Sequence, residues 1–410
     1  MNQLSMSKAG HALRSKGIEG WELHDRAASM KEDGEDIVLL TIGDPDFNTS
    51  AEVNNALITA LGKHRTHYSN PQGEYELRST LAALETANVG KTFTPNQFNI
   101  FNGAANALYT VLRCIVPDGK NIVLNEPYYI GYQPTLVACG ITTKYAPAVA
   151  PEFKISAQAI ADTIDENTVA VLLNTPVNPT GNVVSADVMR ELYEVCRERN
   201  IWLISDEVYS LITFEQPHTS LLSVADDLSN VIVMDSLSKS HAMTGWRIGW
   251  TVTNESLASI LSKYALASTF TLTQFTQDAA ITALRGCKGF VENMNSEFKL
   301  RRDYTMTRIQ KIKGLDAITP DAGMFVMVDV HQDGDEFANR MLDEIGVSVA
   351  PGSACGAVTS NYVRVSYVSS LAELEKAWDR IEFWMVSNTR SKVPSSLVIN
   401  AESLKNAHLG

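Results

Sequence analysis

Between about residues 97 and 250 the chain alternates short apolar runs with stretches of helical periodicity. No other feature constrains its fold as much. Phe98-Asn99-Ile100-Phe101, Asn121-Ile122-Val123-Leu124, residues 169–173, residues 201–204 and Val231-Ile232-Val233-Met234 have the length and character of fully buried strands. Residues 104–116 and 185–199 read as helices between them. Ser185 is placed as an N-cap, and Leu192, Val195 and Cys196 fall on one face. Such alternation implies βαβ crossovers and a mostly parallel sheet covered on both faces, an α/β fold.

The C-terminal third changes character. Residues 293–312 read as a long charged helix. Gly323-Met324-Phe325-Val326-Met327-Val328-Asp329 and Tyr362-Val363-Arg364-Val365-Ser366 read as strands, with helices over 336–344 and 371–386. This predicts a smaller α+β domain, and 410 residues suit two domains. The tail 388–410, rich in Ser, Lys and Asn, is expected to be mobile.

A net charge of −13 argues against a phosphate-backbone or anionic-membrane partner, so neither nucleic acid nor membrane is expected. No window of about 18 apolar residues suggests a membrane span, and residues 1–20 carry no apolar signal core. Cys114, Cys139, Cys196, Cys287 and Cys355 are scattered without a C-x-x-C pair. That pattern predicts reduced thiols, a cytoplasmic location and no metal site.

Chemistry concentrates after the last buried run. In Ser236-Leu237-Ser238-Lys239-Ser240-His241-Ala242-Met243-Thr244-Gly245-Trp246-Arg247-Ile248-Gly249, a lysine comes just after a strand end and an arginine stands eight residues on. Open α/β sheets bind ligands at the carboxyl ends of their strands. A primary amine beside a cationic, hydroxyl-rich pocket suits an aldehyde-phosphate cofactor. The segment resembles the lysine signature of class I/II aminotransferases, the fold type I enzymes that use pyridoxal 5′-phosphate (PLP).

The resemblance implies a fold type I PLP-dependent transferase with a large cofactor-binding domain over 47–290. The small domain would be discontinuous, over 1–46 and 291–410. It makes Lys239 the Schiff-base lysine and the general base. Asn174-Thr175-Pro176-Val177-Asn178-Pro179-Thr180-Gly181 is similar to the family's asparagine–proline motif, in which Asn178 donates to the cofactor's phenolic oxygen. Ser205-Asp206-Glu207-Val208-Tyr209 places Asp206 at the pyridine nitrogen and Tyr209 at the same phenolic oxygen. Gly103, Ala104 and Ala105 at a helix start, with Ser236, Ser238 and Arg247, would hold the phosphate. Tyr129 would stack on the pyridine face. Tyr68 would reach the phosphate of a neighbouring subunit, which predicts a homodimer with shared sites.

For substrate, the resemblance makes Arg364 the receptor of an α-carboxylate. An inward arginine on a strand calls for a planar anion. Gly43 would let the backbone approach the same carboxylate, and Asn178 would also meet the substrate. The expected reaction moves an amino group from an α-amino acid to a 2-oxo acid. Ala105 stands where some dicarboxylate-selective relatives carry a cation. The segment Gly20-Trp21-Glu22-Leu23-His24-Asp25-Arg26, taken together with residues 236–247 and Gly323-Met324-Phe325-Val326-Met327-Val328-Asp329, is similar to arginine–pyruvate transaminases, with Trp21 at the substrate and Glu22 or Asp25 facing a guanidinium. Solvated charges at a helix start are the plainer reading of that pair. A PLP lyase eliminating a β- or γ-substituent, an aspartate or aromatic aminotransferase, and a non-catalytic amino-acid sensor remain alternatives.

Overall fold

The computed structural model describes residues 6–14 and 20–391, so residues 392–410 of the tail and parts of the N-terminal stretch lie outside the described residues. The strands, in chain order, are β1 (Val38–Leu39), β2 (Phe98–Phe101), β3 (Asn121–Glu126), β4 (Thr142–Pro147), β5 (Thr168–Asn174), β6 (Trp202–Asp206), β7 (Val231–Ser236), β8 (Gly249–Val252), β9 (Asp316–Ala317), β10 (Phe325–Asp329), β11 (Val347–Ser348), β12 (Ala350–Pro351) and β13 (Tyr362–Ser366). Seven of them form a central sheet in the order β2-β8-β7-β6-β5-β3-β4. Within it β8 alone runs against its neighbours, and β7, β6, β5, β3 and β4 pair in parallel.

Alternation along each strand explains both covering layers. Val171, Leu203 and Val233 point to one side, where Met189, Leu192 and Cys196 of helix Ala186–Glu198 meet them. Leu172, Ile204, Ile232 and Met234 point to the other, against Leu108, Val111 and Leu112 of helix Gly103–Ile115. Ser185 accepts from Val188 N–H as the N-cap of helix Ala186–Glu198, a contact worth about 1 kcal/mol.

The remaining strands build a second core. β12, β13, β10 and β9 form an antiparallel sheet, and β1 pairs in parallel with β11. Leu23, Ala27, Val38 and Leu40 thereby pack with Val326, Val365, Leu374 and Trp378 from the far end of the chain.

The five strands expected between residues 97 and 250 and the two expected later are all present. β4 escaped notice because it is an edge strand, largely exposed and polar, with Lys144 in its middle. β8 escaped notice because its four residues close the lysine motif and carry no apolar run. The long charged helix starts at Lys288 rather than 293. The strand expected from Gly323 starts at Phe325, since Gly323 turns at φ +81°.

Candidate active site

Register brings three strand ends level. Asn174 of β5 lies beside Asp206 of β6, and Asp206 lies beside Met234 of β7. Helix Gly103–Ile115 starts on the same edge, directly after β2. Between them opens a cavity of about 170 Å³, lined by Ala104, Ala105, Tyr129, Asp206, Lys239 and Arg247 among others.

Lys239 is partly buried, and its Nζ donates to the Gly43 carbonyl at 2.6 Å. Burial brings its ammonium down to about 8. Asp44 opposes that shift, while Arg364 and Arg247 reinforce it. An amine near that value is partly unprotonated at neutral pH and so can act as nucleophile or base. Asp206 is buried and accepts from Tyr132 Oη at 2.7 Å on Oδ2. Burial pushes its carboxyl up to about 6 against the pull of that hydroxyl.

A polar web joins the strand ends to the second core. Asn178 Nδ2 donates to Tyr209 Oη at 3.2 Å, and its backbone N–H donates to Asn174 Oδ1 at 2.7 Å. Asn174 Nδ2 donates in turn to the Asp206 carbonyl at 3.0 Å. Arg364 Nη1 donates to Asn178 Oδ1 at 3.0 Å, and Nη2 to the Thr41 carbonyl at 2.6 Å. The guanidinium lies 4.2 Å from the centre of the Phe325 ring, and its Nε is buried without a partner. Among the described residues, the hydrogen-bond partners and the ring against this 4%-exposed arginine are neutral. A buried cation without an anion costs several kcal/mol, so the arrangement is suited to a negative charge.

Gly43 makes the Phe325 contact possible, because a Cβ there would sit 2.4 Å from the ring. Likewise, a Cβ on Gly103 would sit 2.4 Å from Arg247 Nη2. Arg247 is held by the carbonyls of Thr244 (2.7 Å) and Asn102 (3.3 Å). The first backbone N–H groups of a helix lack intrahelical partners and attract anions. With Arg247, Ser236 and Ser238 beside them, they form an anion cradle.

Residues 35–381 match the family model described as aminotransferase class I and II. The chain belongs to the class I and II aminotransferases. An arginine–pyruvate transaminase of Pseudomonas aeruginosa is 37% identical, covering 90% of this chain and 95% of its own. An aspartate aminotransferase of Thermotoga maritima is 31% identical, covering 89% and 96%. The crystal structure of the aspartate aminotransferase from Thermotoga maritima superposes with a TM-score of 0.87 at 30% identity, over 93% of this chain and all of that one. This aminotransferase therefore has the fold type I architecture and depends on PLP. The residues present fit that cofactor. The Gly103 cradle suits a phosphate, a buried carboxyl suits a pyridinium, and a depressed lysine suits an aldehyde.

Of the residues singled out from sequence, Ala104, Ala105, Tyr129, Asp206, Tyr209, Ser236, Ser238, Lys239 and Arg247 line the aminotransferase cavity. Gly43, Gly103, Asn178 and Arg364 join it through the contacts above. Two stand apart. Trp21 flanks the start of helix Glu22–Glu32, its ring 6.3 Å from that of His24 and outside the cavity lining. Tyr68 is 79% exposed and packs on Phe270 at 4.7 Å between ring centres. Glu22 and Asp25 are exposed on the helix and do not line the cavity either. Sequence reasoning missed Tyr132, Thr41 and Phe325 as contacts of the site, and gave Asn174 no role. Only Asn174 carried a local signal, as the first asparagine of its doubled motif.

Proposed function

We propose that this PLP-dependent aminotransferase takes the amino group of a non-dicarboxylic α-amino acid, with arginine the first candidate, and passes it to a 2-oxo acid such as pyruvate. Arg364 carries the reading. A buried guanidinium with only neutral partners is suited to a substrate α-carboxylate, which it can grip through two parallel bonds. Selectivity against dicarboxylates rests on Ala105 at the phosphate wall, where no second cation is offered, and on the Asp44 carboxylate near Lys239. The 37% identity to a transaminase named for arginine and pyruvate supports the same choice.

When bound, PLP supplies an electrophilic carbon and a sink for the electrons released at the substrate's α-carbon. The chain's own residues would do the rest. Ser236, Ser238, Arg247 and the N–H groups of Gly103, Ala104 and Ala105 hold the phosphate. Asp206 would pair with the pyridine nitrogen, Asn178 and Tyr209 would meet the phenolic oxygen, and Tyr129 would cover the ring. Arg364, with Gly43 and Asn178 beside it, fixes the carboxylate. Lys239 Nζ then takes the proton from the α-carbon as general base, a step that contributes about 10²–10⁴-fold. The Gly43 carbonyl keeps that amine on the substrate side.

The same proposal includes a cytoplasmic homodimer, with Tyr68 serving the partner's phosphate, and two lobes over 47–290 and over 1–46 with 291–410. Its support is the exposure of Tyr68, the five free cysteines and the pairing of β1 with β11. A panel of amino donors assayed with pyruvate tests the substrate reading. Arginine should give the highest kcat/KM. A clear preference for aspartate or aromatic donors would overturn it.

A further inference from the structure

The geometry points to Tyr132 as the positioning residue that keeps Asp206 ionised and correctly turned for the cofactor. This rests on the proposal above that Asp206 faces the pyridine nitrogen. Tyr132 begins helix Tyr132–Cys139, three residues beyond Tyr129. It is 3% exposed, and its hydroxyl donates to Asp206 Oδ2 at 2.7 Å. The Val208 N–H lies 3.4 Å from Oδ1, so both carboxylate oxygens are approached by a donor. Burial and the neighbouring carboxylate raise the Tyr132 phenol well above its ordinary value, so it remains a donor across the working pH range.

The same ring buttresses the aromatic wall. Tyr132 meets Tyr129 edge to face, with centres 5.3 Å apart and planes at 84°. Gly131 between them is required, because a Cβ there would stand 2.5 Å from the Tyr129 ring. One side chain thus ties the group assigned to the pyridine nitrogen to the aromatic assigned to the ring face. A buried carboxylate is stabilised in its charged form chiefly by the donors aimed at it. The other titratable groups facing Asp206 are Glu207, Lys239, Tyr129 and Tyr209. Glu207 opposes ionisation of Asp206, and burial keeps both tyrosines protonated. Lys239 favours ionisation only while its amine carries a charge.

Tyr132→Phe keeps the ring and removes only the hydroxyl, so its fold and thermal midpoint should change little. PLP should then leave the full-length holoenzyme more readily, with affinity about 10–100-fold weaker, as for loss of a hydrogen bond to a charged group. The pH midpoint of the visible band of the lysine-bound cofactor should also rise, because a less ionised Asp206 leaves the pyridine nitrogen less protonated. A purely structural role for Tyr132 would leave that midpoint unmoved. Asp206→Asn completes the cycle: on that background Tyr132→Phe should add almost nothing. If Tyr132→Phe weakens PLP equally with and without Asp206, or leaves affinity and midpoint unchanged, the inference fails. If Asp206→Asn alone leaves both unchanged, it is the assignment of Asp206 itself that fails.

Discussion

At the residue scale the site is a set of groups held away from their ordinary ionisation, and Asp206 carries the clearest consequence for stability. Burial lifts its carboxyl from 3.8 to about 6. A raised acid stabilises the apoenzyme in its protonated form, fully below about pH 4, and that contribution is lost as the pH rises through 6. Two pH units correspond to roughly 3 kcal/mol. If Asp206 pairs with the cofactor as proposed, a pyridinium beside the charged carboxylate would offset the loss. The increase in thermal midpoint on adding PLP to apoenzyme should therefore be larger at about pH 7.5 than at about pH 5. Equal increases at both values would mean that Asp206 does not pair with the cofactor. Lys239, Asp206, Asn178, Tyr209, Arg247 and Arg364 were all legible as candidates in the sequence, because each sits in a short motif, five of them next to a strand end and Arg364 within β13. Tyr132, Thr41 and Phe325 were not. Each reaches the site through strand register or tertiary packing, which no local spacing records.

Elements rather than single side chains set the anion cradle. β8 inserts antiparallel between β2 and β7, and Gly249 at its start approaches so closely that a Cβ would lie 2.6 Å from the Ala104 nitrogen. Helix Gly103–Ile115 is pinned there by β8 on one side and by Arg247 on the other. Gly103→Ala tests this arrangement, because the added Cβ would meet Arg247 Nη2 at 2.4 Å on a residue at φ +79°. Arg247 must swing away or the helix start must shift. PLP affinity in a titration of the apoenzyme should fall at least about tenfold, or ~1.4 kcal/mol. Unaltered affinity would show that phosphate is held elsewhere. The parallel strands themselves were readable because burial on both faces writes continuous apolar runs. The edge strand β4 and the reversed strand β8 write none, so the sheet's outer order emerged only from the structure.

For the whole molecule the decisive question is where Tyr68 acts. A ring 79% exposed, packed against a half-exposed Phe270, makes no contact with the cavity of its own chain. Phe270, Leu266, Tyr264 and Ile260 put further apolar surface on view at and before that turn. Exposed aromatics of this kind favour a protein interface, and a two-fold interface would carry each Tyr68 to the other subunit. Mixing separates this from a role within one chain. Lys239→Ala removes the proposed base from its own site but leaves its Tyr68 intact, whereas Tyr68→Ala does the reverse. If Tyr68 serves the partner, a mixed dimer regains one complete site, and random reassociation of equal amounts restores about a quarter of wild-type turnover. If Tyr68 serves its own chain, every site in the mixture lacks one of the two residues. Turnover would then stay at the average of the two parent variants.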